Sequence, residues 1–385
     1  MKQAAGIDIS KDSFHVCLKE QSDDGRVKIK RSHSFPNDYE DFKDFPEWSR
    51  KGLPKGMSLK FVMEATGCYQ EDLAYFLHDN GQEVCVVLAN RIRHHAGSLN
   101  VKTRTDKADA ALIADFGLER SMPAWQPTSL NYRELRDLCR ELSSIKKDLT
   151  RAGCQLHAME HSHHKNARVT ALKTGQIEFY TQATEEIEAE IRKLAEEDRE
   201  LKERVDRITK VKGLGLITVV TVLCETNGFR LFSNIRQAVS YAGPDVVLKE
   251  SGNFKGRTRI SKKGNAAIRQ CLFMPALSAA NHNKNMKTFY ARIVEKNPQA
   301  KRKAIVACMR KLLTLIFVLW KKGEEYDENY LWGKDAGKAR TEADQREEAP
   351  SADKEKRDTT CPALDRPCRT AHELRSSLNG SKSMD

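Results

Sequence analysis

Residues 102–117 read KTRTDKADAALIADFG. The pattern predicts a helix with a polar start, capped by Thr105, that Gly117 can end. Asp106 and Asp109 are three apart, so both side chains share one face. That face continues as Leu112, Ile113 and Phe116, the residues such a helix would pack on a core. Two carboxylates therefore sit at the rim of a buried face, with Lys102, Arg104 and Lys107 around them. Acids also favour any helix N-terminus, where the macrodipole suits them. On this stretch alone both readings stand.

Upstream, residues 4–20 (AAGIDISKDSFHVCLKE) predict two strands joined by a turn at Ser10-Lys11-Asp12. Asp8 falls inside the first strand, between Ile7 and Ile9, where an acid is costly unless paired or coordinated. A third strand is expected over 27–35, a helix over 39–50, and a strand over 59–64 that ends in Glu64. A helix over 69–79 and a buried strand over 83–88 follow. Three strands, helix, strand, helix, strand and the 102–117 helix is the order of a ribonuclease-H-like domain. In such a sheet Asp8, Glu64, Asp106 and Asp109 converge, and they repel one another unless divalent cations neutralise them. All-oxygen ligands select Mg²⁺ or Mn²⁺ rather than zinc. Two such ions can clamp the attacking and leaving oxygens of a phosphodiester.

Composition bounds the partner. The chain has 385 residues, a formal charge of +12 and a pI near 9.1. That length suits two or three domains, and that charge points to a polyanion, most often nucleic acid. From Lys334 onward eleven basic and eleven acidic residues balance, so the excess lies upstream. This tail is poor in apolar residues and is expected to be disordered. The ten cysteines include no CxxC, which suits a reducing cytosol and argues against a disulfide framework or a zinc ribbon. The most apolar run, 304–320, is broken by Arg310 and Lys311 and is too short to span a bilayer. No signal peptide follows Met1, so a soluble, cytoplasmic protein without a membrane partner is expected.

The middle is helical by pattern. Leu135, Leu138, Leu142, Ile145, Leu149, Ala152 and Leu156 step by three and four. A second run takes in Ile177, Tyr180, Thr184, Ile187, Ile191, Leu194, Asp198, Leu201, Val205 and Ile208, with two polar interruptions that could fix register. These are heptad seams, and two helices packed as an intramolecular hairpin would read the same way. Between them His157 and His161 have the spacing of a helical metal pair, with no third ligand placed.

Residues 208–228 open a third region. Gly213-Leu214-Gly215, after Lys212, looks like half of a helix-hairpin-helix, whose turn amides hold a backbone phosphate. An ordinary glycine-containing connection reads identically. After a helix over 234–241 comes a loop dense in Lys249, Lys255, Arg257, Arg259, Lys262 and Lys263, with glycines that let backbone approach a phosphate. Helices over 267–280 and 299–321 close the region. Ser251 precedes Gly252 in that loop, and a serine there is by itself usually a turn residue.

GIDISKDSF (6–14), FVMEATGCY (61–69), the run 86–117 and VSYAGPDVVLKESG (239–252) resemble the DEDD transposases of the insertion sequence family one-hundred-and-ten. These are relatives of the Piv site-specific invertases and include bridge-RNA-guided recombinases. The resemblance covers residues 4–333. It implies a RuvC-like catalytic domain over 1–125, a coiled-coil helical region serving dimerisation over 126–208, and a mostly helical C-terminal transposase domain over 209–333. The 334–385 tail lies outside the pattern. By motif match, Asp8, Glu64, Asp106 and Asp109 correspond to the family's metal tetrad. Ser251 corresponds to the serine taken to attack the scissile phosphate and form a phosphoserine link to DNA, with Ser261 second in line. Pro244 stands two residues before Val246, where most members carry their proline.

The resemblance thus implies a Mg²⁺-dependent DNA transposase or site-specific recombinase acting on element ends and target. It further implies a structured guide RNA, a homodimer or tetramer, and a nucleoid-associated place in a prokaryotic cytoplasm. One rival is a RuvC-like nuclease that hydrolyses DNA with metal-activated water, for which Ser251 is dispensable. The other is a non-catalytic coiled-coil DNA-binding protein.

Overall fold

The computed structural model describes residues 2–52, 58–103, 105–230, 232–248, 250–252, 254–256 and 259–328. Arg104, Lys249, Arg257 and the tail expected to be disordered lie outside the described residues. β1 (Lys2–Ile9) turns into β2 (Ser13–Gln21), and β3 (Val27–Pro36) continues the antiparallel meander. The Ser10 hydroxyl and N–H both donate to the Ser13 carbonyl, at 2.7 and 2.8 Å, which closes the first turn. A 3-10 turn and α1 (Asp44–Arg50) lead to β4 (Leu59–Glu64), which pairs parallel with the free side of β1. α2 (Glu71–Asp79) and β5 (Glu83–Val87) add one more parallel strand, giving the order β3-β2-β1-β4-β5. This is the expected ribonuclease-H-like sheet.

α3 (Ala89–Ser98), for which the sequence reading has no helix, precedes α4 (Asp106–Glu119). α4 lies across β1, β2 and β4. Gly6 sets how closely: a Cβ there would lie 2.2 Å from both the Ala110 carbonyl oxygen and the Ala114 nitrogen. Gly117 does not end the helix. It lies inside α4, where a Cβ would come within 2.7 Å of Val62 Cγ2. The residue serves close helix–sheet packing rather than chain reversal, so the helix runs on. Lys19 of β2 reaches over to Asp115 of α4 at 2.7 Å. The opposite sheet face buries Phe14, Phe35, Phe42, Phe45 and Phe61, each contributing about 1.5–3 kcal/mol relative to exposure.

α5 (Leu130–Glu160) and α6 (Ala167–Glu197) pack along one another within the chain, joined by a short turn. The two seams face each other there: Leu142 and Ala152 are buried on α5, Ile191 and Ala195 on α6. The second seam does not continue to Ile208. Asp198 leaves helical backbone, and its carboxylate accepts the Leu201 N–H at 3.0 Å, capping α7 (Arg199–Thr209). An aspartate at this position therefore starts a helix rather than interrupting one. Leu201, Val205 and Ile208 turn into a core that includes Leu135 and Ile191 and extends into α8 (Leu216–Glu225) and α9 (Ile235–Ala242). That single core crosses residues 208 and 209.

The basic loop forms two nested ladders, for which no strands are expected from sequence. β6 (Val246–Val247) pairs with β9 (Arg259–Ile260), and β7 (Glu250–Ser251) with β8 (Phe254–Lys255). The helix expected over 267–280 divides into α10 (Ala266–Cys271) and α11 (Phe273–His282). α12 (Lys284–Lys296), absent from the sequence reading, and α13 (Lys301–Lys322) complete the helical core. Among the described residues no helix is long and apolar enough to cross a membrane.

Candidate active site: an acidic sheet rim and a serine hairpin

Asp8 is the penultimate residue of β1. The parallel register sets Ile7 opposite Met63, so Asp8 and Glu64 follow side by side at the strand ends. Asp106 and Asp109 occupy the first turn of α4, where Thr105 Oγ1 accepts the Ala108 N–H at 3.2 Å. The Gly6 contact presses that helix onto β1. The Asp8 carboxyl is pushed up to about 6, first by burial and then by the charges of Asp109, Asp106 and Glu64. The structure thus brings Glu64, Asp106 and Asp109 within electrostatic reach of Asp8. Among the described residues no three His, Cys, Asp or Glu side chains are drawn together tightly enough to enclose an ion. The donor set still fits a hard divalent cation: it is all oxygen and anionic, and burial together with the other three acids holds the Asp8 carboxyl toward protonation.

His15 is a neighbour the sequence reading missed. It stands directly opposite Asp8 across β1 and β2, and its Nε2 lies 3.1 Å from Ser32 Oγ. Burial lowers its pKa, opposed by Asp106 and assisted by Lys107 and His33. The signal was available, because a turn at residues 10–12 sets Ile9 opposite Phe14 and hence His15 opposite Asp8. Lys102 is exposed ahead of α4.

Ser251 is exposed at the end of β7 and pairs with Phe254; Gly252 has φ 53 and starts the two-residue connection between them. Below, the neck of the hairpin is tied. The Ser261 hydroxyl donates to the Asp245 carboxylate. The N–H groups of Ser261, Lys262 and Asn265 donate to the carbonyls of Asp245, Gly243 and Tyr241 at 2.9, 3.2 and 2.7 Å. Ser261 is therefore committed to closing the neck. Lys262 adopts φ 53, a left-handed backbone that costs about 1–2 kcal/mol in a residue with a side chain. Arg259, Lys262 and Lys263 are exposed, and Lys255 lies in β8. Among the described residues no hydrogen bond joins Ser251 to any of the four acids.

Glu225 anchors this neck from beneath, and it too escaped the sequence reading. It is buried at the end of α8, gripped by Arg140 of α5 at 2.6 and 2.9 Å and by Asn265 Nδ2 at 2.6 Å. Burial pushes its pKa up, but the bonds from Arg140 and Asn265 outweigh it and the carboxyl ends below its ordinary value. An acid closing an apolar helix carries no sequence signal of burial. At the other glycine turn, Gly213 has φ 103 and packs on α11, where a Cβ would meet Ala279 at 2.7 Å. Gly215 opens α8, and Lys212 is exposed beside it. The rings of His157 and His161 stack at 4.2 Å at the tip of α5, without a third donor among the described residues.

Sheet order and acidic rim place the protein in the ribonuclease-H-like class of nucleases and transposases. Two family descriptions match it: "Transposase" (DEDD_Tnp_IS110) over residues 5–164, and "Transposase IS116/IS110/IS902 family" over residues 205–291. Similar proteins include the pilin gene-inverting proteins of Moraxella bovis and Moraxella lacunata. Each is 26% identical over 327 residues, covering 85% of this chain and 98% of its own. Similar solved structures include Thermus thermophilus RuvC, with a TM-score of 0.25 and 11% identity over 32% of this chain and 99% of that one. The same protein in complex with a Holliday junction substrate gives 0.24 and 10% over the same shares. The chain belongs to the IS110 family of DEDD transposases, and its enzyme class is DNA transposase or recombinase.

Proposed function

We propose that the chain moves an insertion sequence by divalent-cation-assisted phosphoryl transfer on DNA, with Ser251 as the nucleophile. The observation that supports this reading is the arrangement of the rim: Asp8 and Glu64 end neighbouring parallel strands, and Asp106 and Asp109 open the helix packed across them. Those four residues would hold two Mg²⁺ or Mn²⁺ ions, which when bound neutralise charge around a phosphodiester. Ser251 Oγ gives up its proton and forms the new bond to phosphorus, the bond to the leaving sugar oxygen breaks, and that oxygen takes up a proton. An exposed hairpin suits attack on a polymer backbone. Arg259, Lys262 and Lys263, with Lys102 and the turn from Lys212 to Gly215, would hold phosphates.

Assembly as a homodimer or tetramer belongs to the same reading. Leu172 and Phe179 are 64% and 65% exposed on α6 and offer apolar surface for it. Pairing of copies would bring the acids of one to Ser251 of another. A structured guide RNA, implied by the family resemblance, would be met through phosphates and shape, in the DNA-bearing cytoplasm of a prokaryote. The rival reading is hydrolysis by water alone, for which Ser251 is dispensable.

A denaturing gel decides between them. The protein is expressed with its element flanks and Mg²⁺, beside Ser251→Ala and Asp106→Ala. A protein–DNA adduct in the wild type and in neither variant is the expected result. An adduct that survives Ser251→Ala removes the nucleophile, and cleavage without any adduct establishes the hydrolytic nuclease.

A further inference from the structure

We propose that Phe254 is a wedge that inserts between DNA bases beside the phosphate met by Ser251; this rests on the serine reading above. Ser251 and Phe254 are cross-strand partners on either side of a two-residue connection, so hydroxyl and ring leave the hairpin tip together. The ring is 65% exposed, and among the described residues no other aromatic ring packs on it. Its partner across the ladder is a serine, so the aromatic side chain does little for the hairpin itself. Leu248 and Val246, 63% and 53% exposed, extend the apolar surface toward the base of the same hairpin. An exposed cluster of large apolar side chains marks a surface that something covers.

The charge around it selects the occupant. Residues 244–263 contain six basic and two acidic residues. One of those acids, Asp245, is bonded to Ser261. Protein interfaces deplete lysine near their centre, whereas nucleic-acid wedges are apolar tips set among cations: phosphate contacts fix register while the ring enters between base steps. The neck beneath the tip is also tied. Asp245, Gly243 and Tyr241 accept the neck hydrogen bonds, and Arg269 Nη1 donates to the Ala242, Gly264 and Asn265 carbonyls at 2.7, 3.1 and 3.1 Å. A wedge needs such a base, because a floppy hairpin would fold away rather than part a stack.

Two measurements on the full chain, expressed with its element flanks, test this. The probe is a duplex spanning the element end, with 2-aminopurine beside the phosphate at which the adduct maps. Phe254→p-benzoylphenylalanine is irradiated on that duplex. The expected cross-link is to DNA, within about two nucleotides of the mapped phosphate, and it persists when Ser251→Ala is added. Phe254→Ala is expected to lose the 2-aminopurine fluorescence rise and to slow adduct formation about tenfold or more. Duplex affinity should change less than about threefold, and Phe254→Trp should restore the rate. Cross-linking to a second copy or to RNA, no cross-link, or a wild-type adduct rate from Phe254→Ala overturns the proposal. A cross-link to DNA from the Phe254→p-benzoylphenylalanine protein, when the wild type never forms the adduct, supports the wedge and removes the serine reading instead.

Discussion

The acidic rim and the serine hairpin are built in opposite ways. At the rim, packing comes first. α4 is forced against β1 by the space that Gly6 leaves, and the four carboxylates arrive together at an electrostatic cost visible in Asp8. The hairpin has almost no packing of its own. Its strands are two residues long, its tip is exposed, and it is held from below by hydrogen bonds at the neck and by Glu225 beneath α10. Burial and mutual repulsion work against charge in the first region, while in the second a buried charge is part of what holds the structure. Chemistry placed on a packed rim is sensitive to volume, and chemistry placed on a tied loop is sensitive to polar partners.

The strongest way to break the comparison is by activity. Asp106→Ala and Ser251→Ala should each lower adduct formation by about 10³-fold or more. Melting of the Ser251→Ala protein should stay within about 0.5 kcal/mol of wild type, since the side chain is exposed. A large stability loss there would mean the hairpin is packed after all.

Next is volume at the rim. Gly6→Val places atoms on the α4 backbone and should cost about 3 kcal/mol or more in urea unfolding. Polar partners of the hairpin anchor come third. Arg140→Ala leaves Glu225 buried without its main partner and should cost about 2–4 kcal/mol. Glu225→Gln frees an arginine whose side chain is 54% exposed and can be solvated, so it should cost less. The pH dependence follows. The depressed Glu225 pKa gives stability that is present above its unfolded value of 4.5 and is lost as pH falls through its lower folded value. Without Arg140, burial dominates and the acid-unfolding midpoint should move upward.

The smallest effect belongs to Asp8. Its raised pKa gives stability that is present below the unfolded value of 3.8 and is lost as pH rises through about 6. In EDTA at about pH 7.5, Asp8→Asn should therefore melt a few degrees above wild type. Mg²⁺ should raise the wild-type midpoint more than that of the variant. Equal midpoints at all pH values would show that the four acids are not coupled.

Much of the sheet was legible because local patterns dominate it. β4, over Leu59–Glu64, starts and stops where its alternation and flanking residues place it, and the strand order follows from the order of elements. Thr105 caps α4 as its chemistry dictates. The acids Asp8, Glu64, Asp106 and Asp109 were legible for the same reason: each sits at a position where an ordinary acid is costly or specially placed. The sequence by itself therefore determined the elements of the sheet, the strand ends and helix start on which these carboxylates sit, and the basic character of the C-terminal loop.

Tertiary structure alone decided the rest. Gly117 reads as a helix stop, and only Val62 opposite it explains why the helix passes through. Asp198 reads as a polar interruption that could fix register, and only the second core beneath Leu201 makes it a cap. Glu225 carries no sequence signal of burial, and only the fold brings Arg140, 85 residues away, and Asn265 onto it. In each case the deciding contact lies far along the chain, and local propensity of a few tenths of a kcal/mol per residue yields to packing and buried hydrogen bonds worth about 1–3 kcal/mol each.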